Sequence, residues 1–412
     1  MVVAQTAEAV ARRSYGKLVA FLAAHTRDVA SAEDALSEAF AAALTDWPRS
    51  GIPRAPEAWL LTVAKRKLID ASRRRRTADE ANPTLELLVQ QGHDEHEIPD
   101  ERLRLMFACA HPAIDAAVRA PLILQSVLGF SAETIASAFL VAPASMSQRL
   151  VRAKQRIRLT GIAFRVPERD ELPERLDAVL EAIYAVYTEG WSDPAGTQSR
   201  NRGLAEEGIW LGRLVASLLP REPEALGLLS LMLHTEARRG ARRDEQGEFV
   251  PLDRQPPSKW NAALIDEAEQ LLIEASRLNA PARFQLEAAV QSVHAARRIG
   301  GITDWMAIVA LYSALHALTG SVVVAINRAV ALANTDEHNA LPRALSELIA
   351  LRDEPRLAEY QPYWAAQAAL LARSGAAEAA SVAYQRAIGL EADPAVRRYL
   401  QAELNKIATA VP

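Results

Sequence analysis

A chain of 412 residues is long enough for two or more cores, and 47 Lys+Arg against 51 Asp+Glu leave it slightly acidic, with a formal net charge of −4. One cysteine, Cys109, excludes a disulfide framework, and no apolar run approaches the roughly 20 residues of a membrane-spanning helix. Half the residues are hydrophobic but only 6% are aromatic, so an all-α chain is expected, and with no signal-peptide pattern a cytoplasmic one.

The charge is unevenly spread. Residues 1–160 hold 21 Lys+Arg and 18 Asp+Glu, a net of +3, and the remainder holds 26 and 33, a net of −7. Basic residues cluster in "KRKLIDASRRRR" (65–76) and in "RLVRAKQRIR" (149–158). Basic patches ahead of an acidic body point to nucleic-acid contact by the N-terminal part alone.

The first predicted element is "SAEDALSEAFAAALTDW" (31–47), whose apolar stripe is Ala35, Leu36, Ala39, Phe40, Ala43, Leu44 and Trp47. Ser31 and Asp34 give it a start like a capping box. Asp34 and Glu38 lie four apart on one face, where like charges repel, so that face is either a partner-binding surface or simply solvated. A Pro-bounded loop at 50–56 leads into "EAWLLTVAKRKLIDASRRRR", with Trp59, Leu60, Val63, Ala64, Leu68 and Ala71 facing the core. Lys65, Arg66, Arg73 and Arg74 are cations available to a phosphate backbone, although cations also suit a helix C-terminus. The first block thus covers 1–76, and the acidic, Pro-containing stretch 77–100 is a linker.

Residues 101–160 form the second block. In it "SAETIASAFLV" reads as a short helix capped by Ser131, and "VAP" as a tight turn that sets Pro143 in the first turn of the next helix. At about 100° per residue, Met146, Leu150, Ala153 and Ile157 share one face of that helix. Ser145, Gln148, Arg149, Arg152 and Arg156 take the other. Two helices, a tight turn and a cationic outer face predict a helix-turn-helix, with Gln148 and Arg149 reading base edges and Arg152, Lys154 and Arg156 on phosphates. The alternative is an amphipathic helix with a solvated basic face.

The remaining chain divides into a helical block at 161–280 and another at 281–412, with "GEFVPL" the one candidate for a short strand. Trp364, Ala368, Ala380, Tyr384 and Ala387 fall on the packing positions of a 34-residue tetratricopeptide-like helix pair starting at Gln361, with Gly375 at its turn. A generic Ala-rich hairpin is the plainer reading. Stacked repeats would offer a concave surface to a protein partner. No phosphate-binding loop, zincin helix or nucleophile elbow occurs, and the His residues are scattered, so neither catalysis, nor a metal site, nor a cofactor is expected.

The segments "AEDALSEAFAAALTDWP", "PEAWLLTVAKRKLIDASRR" and "GFSAETIASAFLVAPASMSQRLVRAKQRIR" together resemble regions 2 and 4 of extracytoplasmic-function sigma factors, over about 150 residues. "ACAHPAID", "EGIWLGRLVASLLPREPEALGLLSLMLHTEAR" and "TDWMAIVALYSAL" resemble the subgroup that carries a C-terminal helical extension ending in tetratricopeptide-like repeats. The resemblance implies two small helical sigma domains followed by that extension. It implies a non-enzymatic initiation factor with RNA polymerase core (the β′ clamp helices and β) and promoter DNA as partners. Polymerase docking would then fall to Asp34, Glu38 and Asp46, and −10 contact to Trp59, Lys65, Arg66, Arg73 and Arg74. Contact with the −35 element would fall to Ser145, Ser147, Gln148, Arg149, Arg152, Lys154 and Arg156. A helix-turn-helix regulator that carries a protein-binding scaffold and acts without polymerase is the alternative.

Overall fold

A computed structural model describes residues 2–75, 100–139, 141–168, 170–191 and 199–410. The chain is all-helical, as its composition implies. Among the described residues there is no strand, and the "GEFVPL" segment provides one antiparallel bridge, Arg243 to Phe249, before bending into a 3-10 turn at Leu252–Arg254. Two compact units divide the chain, residues 1–191 with 203–208 and residues 192–202 with 209–412.

The first unit opens with α1 (Val2–Thr26), α2 (Val29–Ser50) and α3 (Pro56–Arg75). α2 begins earlier than its Ser31–Asp34 signature predicts. Asp28 is the cap: its carboxylate accepts from the Ser31 backbone N–H at 3.1 Å and from the Ser31 hydroxyl at 2.8 Å. The helix then buries Val29, Ala32, Ala35, Leu36, Ala39, Ala43 and Trp47 at three- and four-residue intervals, while Leu44 stays half-exposed. Gly51, at φ 83, ends it in a backbone conformation that a β-carbon resists. From α3, Leu60, Ala64 and Leu68 enter the same core, and Glu57 accepts from the Ser14 hydroxyl of α1 at 2.5 Å.

α4 (Arg102–Cys109), α5 (Ala116–Leu128), α6 (Ala132–Ala138), α7 (Pro143–Leu159) and α8 (Leu172–Trp191) complete the unit. Gly129, in the left-handed conformation, closes α5, and Ser131 caps α6 by accepting from the Thr134 N–H at 3.1 Å. Residues 139–142 join α6 to α7, which starts at Pro143. The link is short because a proline ring pre-sets the first helical φ and gives up an N–H that no helix would use there.

The 2–75 helices and the 102–159 helices share their packing: α1 lies on α4 and α5, and α2 meets α7. Gly16 makes the closest approach. A β-carbon there would stand 1.9 Å from the Val127 carbonyl oxygen of α5, so only glycine lets the two backbones come this near.

After α9 (Ser199–Leu218) the second unit runs α10 (Pro223–Ala237), α11 (Ala262–Arg277), α12 (Arg283–Ala295), α13 (Trp305–Thr319), α14 (Val322–Leu332), α15 (Ala340–Ala350), α16 (Gln361–Arg373), α17 (Ala377–Leu390) and α18 (Pro394–Ala410). Most of these helices pack on their neighbours in sequence: α10 on α11 and α12, then α12 on α13, α13 on α14, α14 on α15, α16 on α17 and α17 on α18. Ala368, Ala380, Tyr384 and Ala387 are buried in the last of these layers, Trp364 is half-buried, and Gly375 sits at φ 83 between α16 and α17. The segment 239–260 ties the start of the array to its end. Arg243 pairs with Asp393, Arg398 with Glu248 at 2.8 Å, and Phe249 meets the Tyr399 ring edge-on at 5.5 Å between centroids.

Gly16→Ala is expected to cost about 1–3 kcal/mol or more, the range for forcing atoms into a packed core, and to lower Tm. Gly203→Ala, in a helix with open space around it, should leave stability unchanged or raise it by up to about 1 kcal/mol. Thermal unfolding of both variants checks the pair.

Candidate nucleic-acid interface

α7 separates its two faces cleanly. Met146, Leu150, Ala153 and Ile157 are buried, while Ser147, Gln148, Arg149, Arg152 and Arg156 are exposed and Ser145 is half-buried. The exposed set holds three guanidiniums within two turns of helix, a layout suited to planar recognition of base edges and to phosphate charge.

Lys154 departs from the expectation that placed it among the phosphate contacts. Its side chain is only 9% exposed, and its ammonium pairs with the Glu33 carboxylate of α2, which is 12% exposed. Glu33 also accepts a hydrogen bond from the Ser126 hydroxyl of α5 at 2.8 Å. Arg158 stands 3.6 Å from the Asp28 carboxylate at the edge of the same contact. The physical reason lies in helical phase. Lys154 is four residues after Leu150 and three before Ile157, and Glu33 is four after Val29 and three before Leu36. Each charge therefore sits on an apolar stripe, and each gains entry to the interior only because the other neutralises it. Two opposite charges on two apolar stripes are the signal that could have located this pair from sequence.

The cluster marks its surroundings. Burial, and secondarily the Glu33 charge, pushes the Cys109 thiol far above its usual range, so it is inert there. Burial likewise raises the Tyr15 phenol, with Glu33 and then Asp34 adding to the effect.

On the outer flank of α2, Asp34, Glu38 and Asp46 are exposed. Glu38 reaches Lys67 of α3 at 3.0 Å, an exposed pair worth at most about 1 kcal/mol. Ser31, Asp34, Ala35, Glu38, Lys67, Leu68 and Ala71 line an open depression of about 320 Å³ between the two helices. Asp34, Glu38 and the Lys67 that pairs with Glu38 rim an apolar floor of Ala35, Leu68 and Ala71, a surface of mixed charge with one net negative charge.

The −10 candidates divide. Trp59 is half-buried and meets the buried Trp47 edge-on at 5.5 Å. Arg66 is exposed. Lys65 is not on the surface: it is 8% exposed, its ammonium lies 5.2 Å from the centroid of the Phe21 ring, and burial lowers its pKa. A lysine four residues after Leu61 and three before Leu68 shares their stripe, which the count of cations overlooks. The side chains of Arg73 and Arg74 lie outside the described residues. Among the described residues no cluster of three or more His, Cys, Asp or Glu offers a metal site, and no helix is long and apolar enough to cross a membrane.

Residues 10–78 match the sigma-70 region 2 family, and residues 175–276 match a family of unknown function, DUF6596. An uncharacterized protein of Rhizobium meliloti (strain 1021) is 37% identical over 391 residues, covering 93% of this chain and 91% of that protein. No solved structure matches. The region 2 match contains all of α2 and α3, and so includes the exposed acidic flank, the depression beside it and the Trp47–Trp59 pair.

Lys154→Ala leaves Glu33 buried without its counter-ion and is expected to lower stability by about 3–5 kcal/mol. Arg156→Ala, exposed on the same helix, should change it by less than about 0.5 kcal/mol. Equal midpoints for the two variants in denaturant unfolding would contradict the burial of Lys154.

Proposed function

The chain belongs to one family with the Rhizobium meliloti protein and carries a sigma-70 region 2, and from that premise we propose that it is an extracytoplasmic-function-type sigma factor. In this reading it binds RNA polymerase core and directs initiation at promoters with −35 and −10 elements. The observation that carries the reading is the coexistence, in one unit, of the region 2 match and of a second helix pair whose last member exposes Gln148, Arg149, Arg152 and Arg156.

Region 2 docks on polymerase through the acidic flank of α2, with Asp34, Glu38 and Asp46 meeting cations of the β′ clamp helices. Trp59, Arg66 and the arginines at the end of α3 contact the −10 element. α6 and α7 act as the helix-turn-helix of region 4: α7 enters the major groove, Gln148 and Arg149 read base edges, and Arg152 and Arg156 neutralise phosphates. Lys154 is left out of this set because its charge is spent on Glu33. The chain works without a cofactor and catalyses no reaction of its own. The second unit serves as a tetratricopeptide-like, protein-binding extension. Its layers of small residues, such as Ala368, Ala380 and Ala387 beneath Tyr384, support that assignment.

The test is a pull-down of purified core by the full chain. Wild type should retain core, and reversing Asp34 and Glu38 to lysine should weaken retention without altering helix content. A chain that binds promoter duplex but never core would instead be a polymerase-independent regulator. For base readout, Arg149→Ala should remove discrimination at one −35 position, worth about 1–3 kcal/mol. Arg156→Ala should weaken all sequences alike and flatten the salt dependence by about one unit of slope. Equal losses across every promoter variant for both substitutions would contradict this division.

A further inference from the structure

A cavity of about 300 Å³ lies in the second unit, where α12, α13 and α14 meet the turn at Leu252–Arg254. That volume is at the lower edge of the range of small-molecule sites. Leu252, Ile308, Val330 and Ala331 supply apolar lining, and Trp305, Tyr312 and His294 add aromatic surface. The Trp305 ring stands edge-on to His294 at 5.6 Å between centroids. Several polar groups in this lining are unused. The Tyr312 hydroxyl, the His294 ring nitrogens and the Asn327 amide have no hydrogen-bond partner among the described residues. Burial raises the Tyr312 phenol to about 12, with Glu287 adding to the rise and Arg238 opposing it, so at neutral pH it keeps its proton. Burial, and then the Arg238 and Arg297 charges, lower His294 to about 4, so its ring is neutral and offers one N–H.

Arg297 sets the sign of the cavity. Its guanidinium lies 5.0 Å from the centroid of the Trp260 ring. Nη1 donates to the Asp253 carbonyl at 2.9 Å, and Nη2 to the carbonyls of Leu252 at 2.9 Å and Gln255 at 2.6 Å. The Nε–H and one Nη1–H remain, and among the described residues no carboxylate pairs with this cation. The Asp253 carboxylate also lines the cavity, but its charge is felt at Tyr399 of α18, where burial and Glu403 raise the phenol and Asp253 adds to the rise. At His294 the charges felt are cationic.

We infer that this cavity binds a small ring-bearing carboxylate, with its ring among Trp305, Tyr312 and Val330 and its carboxylate toward Arg297, His294 and the Tyr312 hydroxyl. An anion there gains charge-assisted hydrogen bonds, whereas a cation meets only repulsion from Arg297. The carbonyls and the Trp260 ring already hold Arg297 in place, so little order is lost on binding. The Leu252–Arg254 turn forms one wall, and a cavity this small takes a single small molecule rather than an extended peptide. The inference concerns the second unit alone and stands independently of the sigma-factor reading.

The test is titration calorimetry on the full chain. The probes are benzoate and 4-hydroxybenzoate as ring acids, benzylamine as a cation of similar size, and inorganic phosphate as an anion without a ring. Saturable binding of at least one acid is expected, with benzylamine and phosphate weaker by about tenfold or more. Tyr312→Phe removes a hydroxyl that holds nothing in the free chain, so it should weaken the acid about tenfold at unchanged Tm. Val330→Phe fills the cavity and should abolish binding. If Val330→Phe lowers helix content, Tyr312→Phe decides where the acid binds. No saturable heat from either acid up to about 10 mM overturns the inference. Benzylamine or phosphate binding as tightly as the acids overturns it too, as does an acid affinity unaltered in Tyr312→Phe.

Discussion

In the first unit one contact between opposite charges, held away from solvent, constrains how α7 lies on α2. Glu33 and Lys154 sit where their helices would otherwise present aliphatic side chains, and each is tolerated there only because of the other. Around them the backbones close in: Gly16 against the Val127 carbonyl, Tyr15 against Gly129, and Ser126 donating to the carboxylate. The helices matching sigma-70 region 2 and the α6–α7 pair lie in one compact unit, joined by this contact and by the packing of α1 on α4 and α5. Had the position of Glu33 held a leucine, Lys154 would have had to turn to water, and α7 could not lie on α2 in this register. The pair specifies an arrangement more than it adds stability.

That constraint also explains how the functional faces are distributed. Because Lys154 points inward, the cationic face of α7 narrows to Arg149, Arg152 and Arg156. Because Glu33 points inward, the acidic flank of α2 is left to Asp34, Glu38 and Asp46. In the second unit the opposite strategy appears. There the long-range ties, Arg243 to Asp393 and Arg398 to Glu248, run along the segment 239–260 and join elements 150 residues apart.

Much of this was legible in the sequence wherever the information is local. The stripe Met146, Leu150, Ala153, Ile157, the Ser131 cap, the Pro143 start and the Gly375 turn all follow from periods and caps. They reappear in the structure at the same residues. Asp28 escaped notice because Ser31, one turn on, carries a competing cap signature. Lys65 and Lys154 are misplaced by composition because the chemistry of a lysine favours water, whereas the phase of each on its helix points inward. Pairings such as Arg243 with Asp393 leave no trace in any local period, since what selects them is the closure of the array. The −10 candidates Arg73 and Arg74 rest on the sequence alone.

A sigma factor confers promoter specificity on polymerase, and run-off transcription measures that directly. Purified core is mixed with the full chain and linear genomic fragments, and the 5′ ends of the products are mapped. Discrete start sites that require both chain and core, and whose relative use changes when Arg149 is replaced by alanine, are the predicted result. Products identical to those of core alone, with the chain binding duplex equally well in the absence of core, would contradict it.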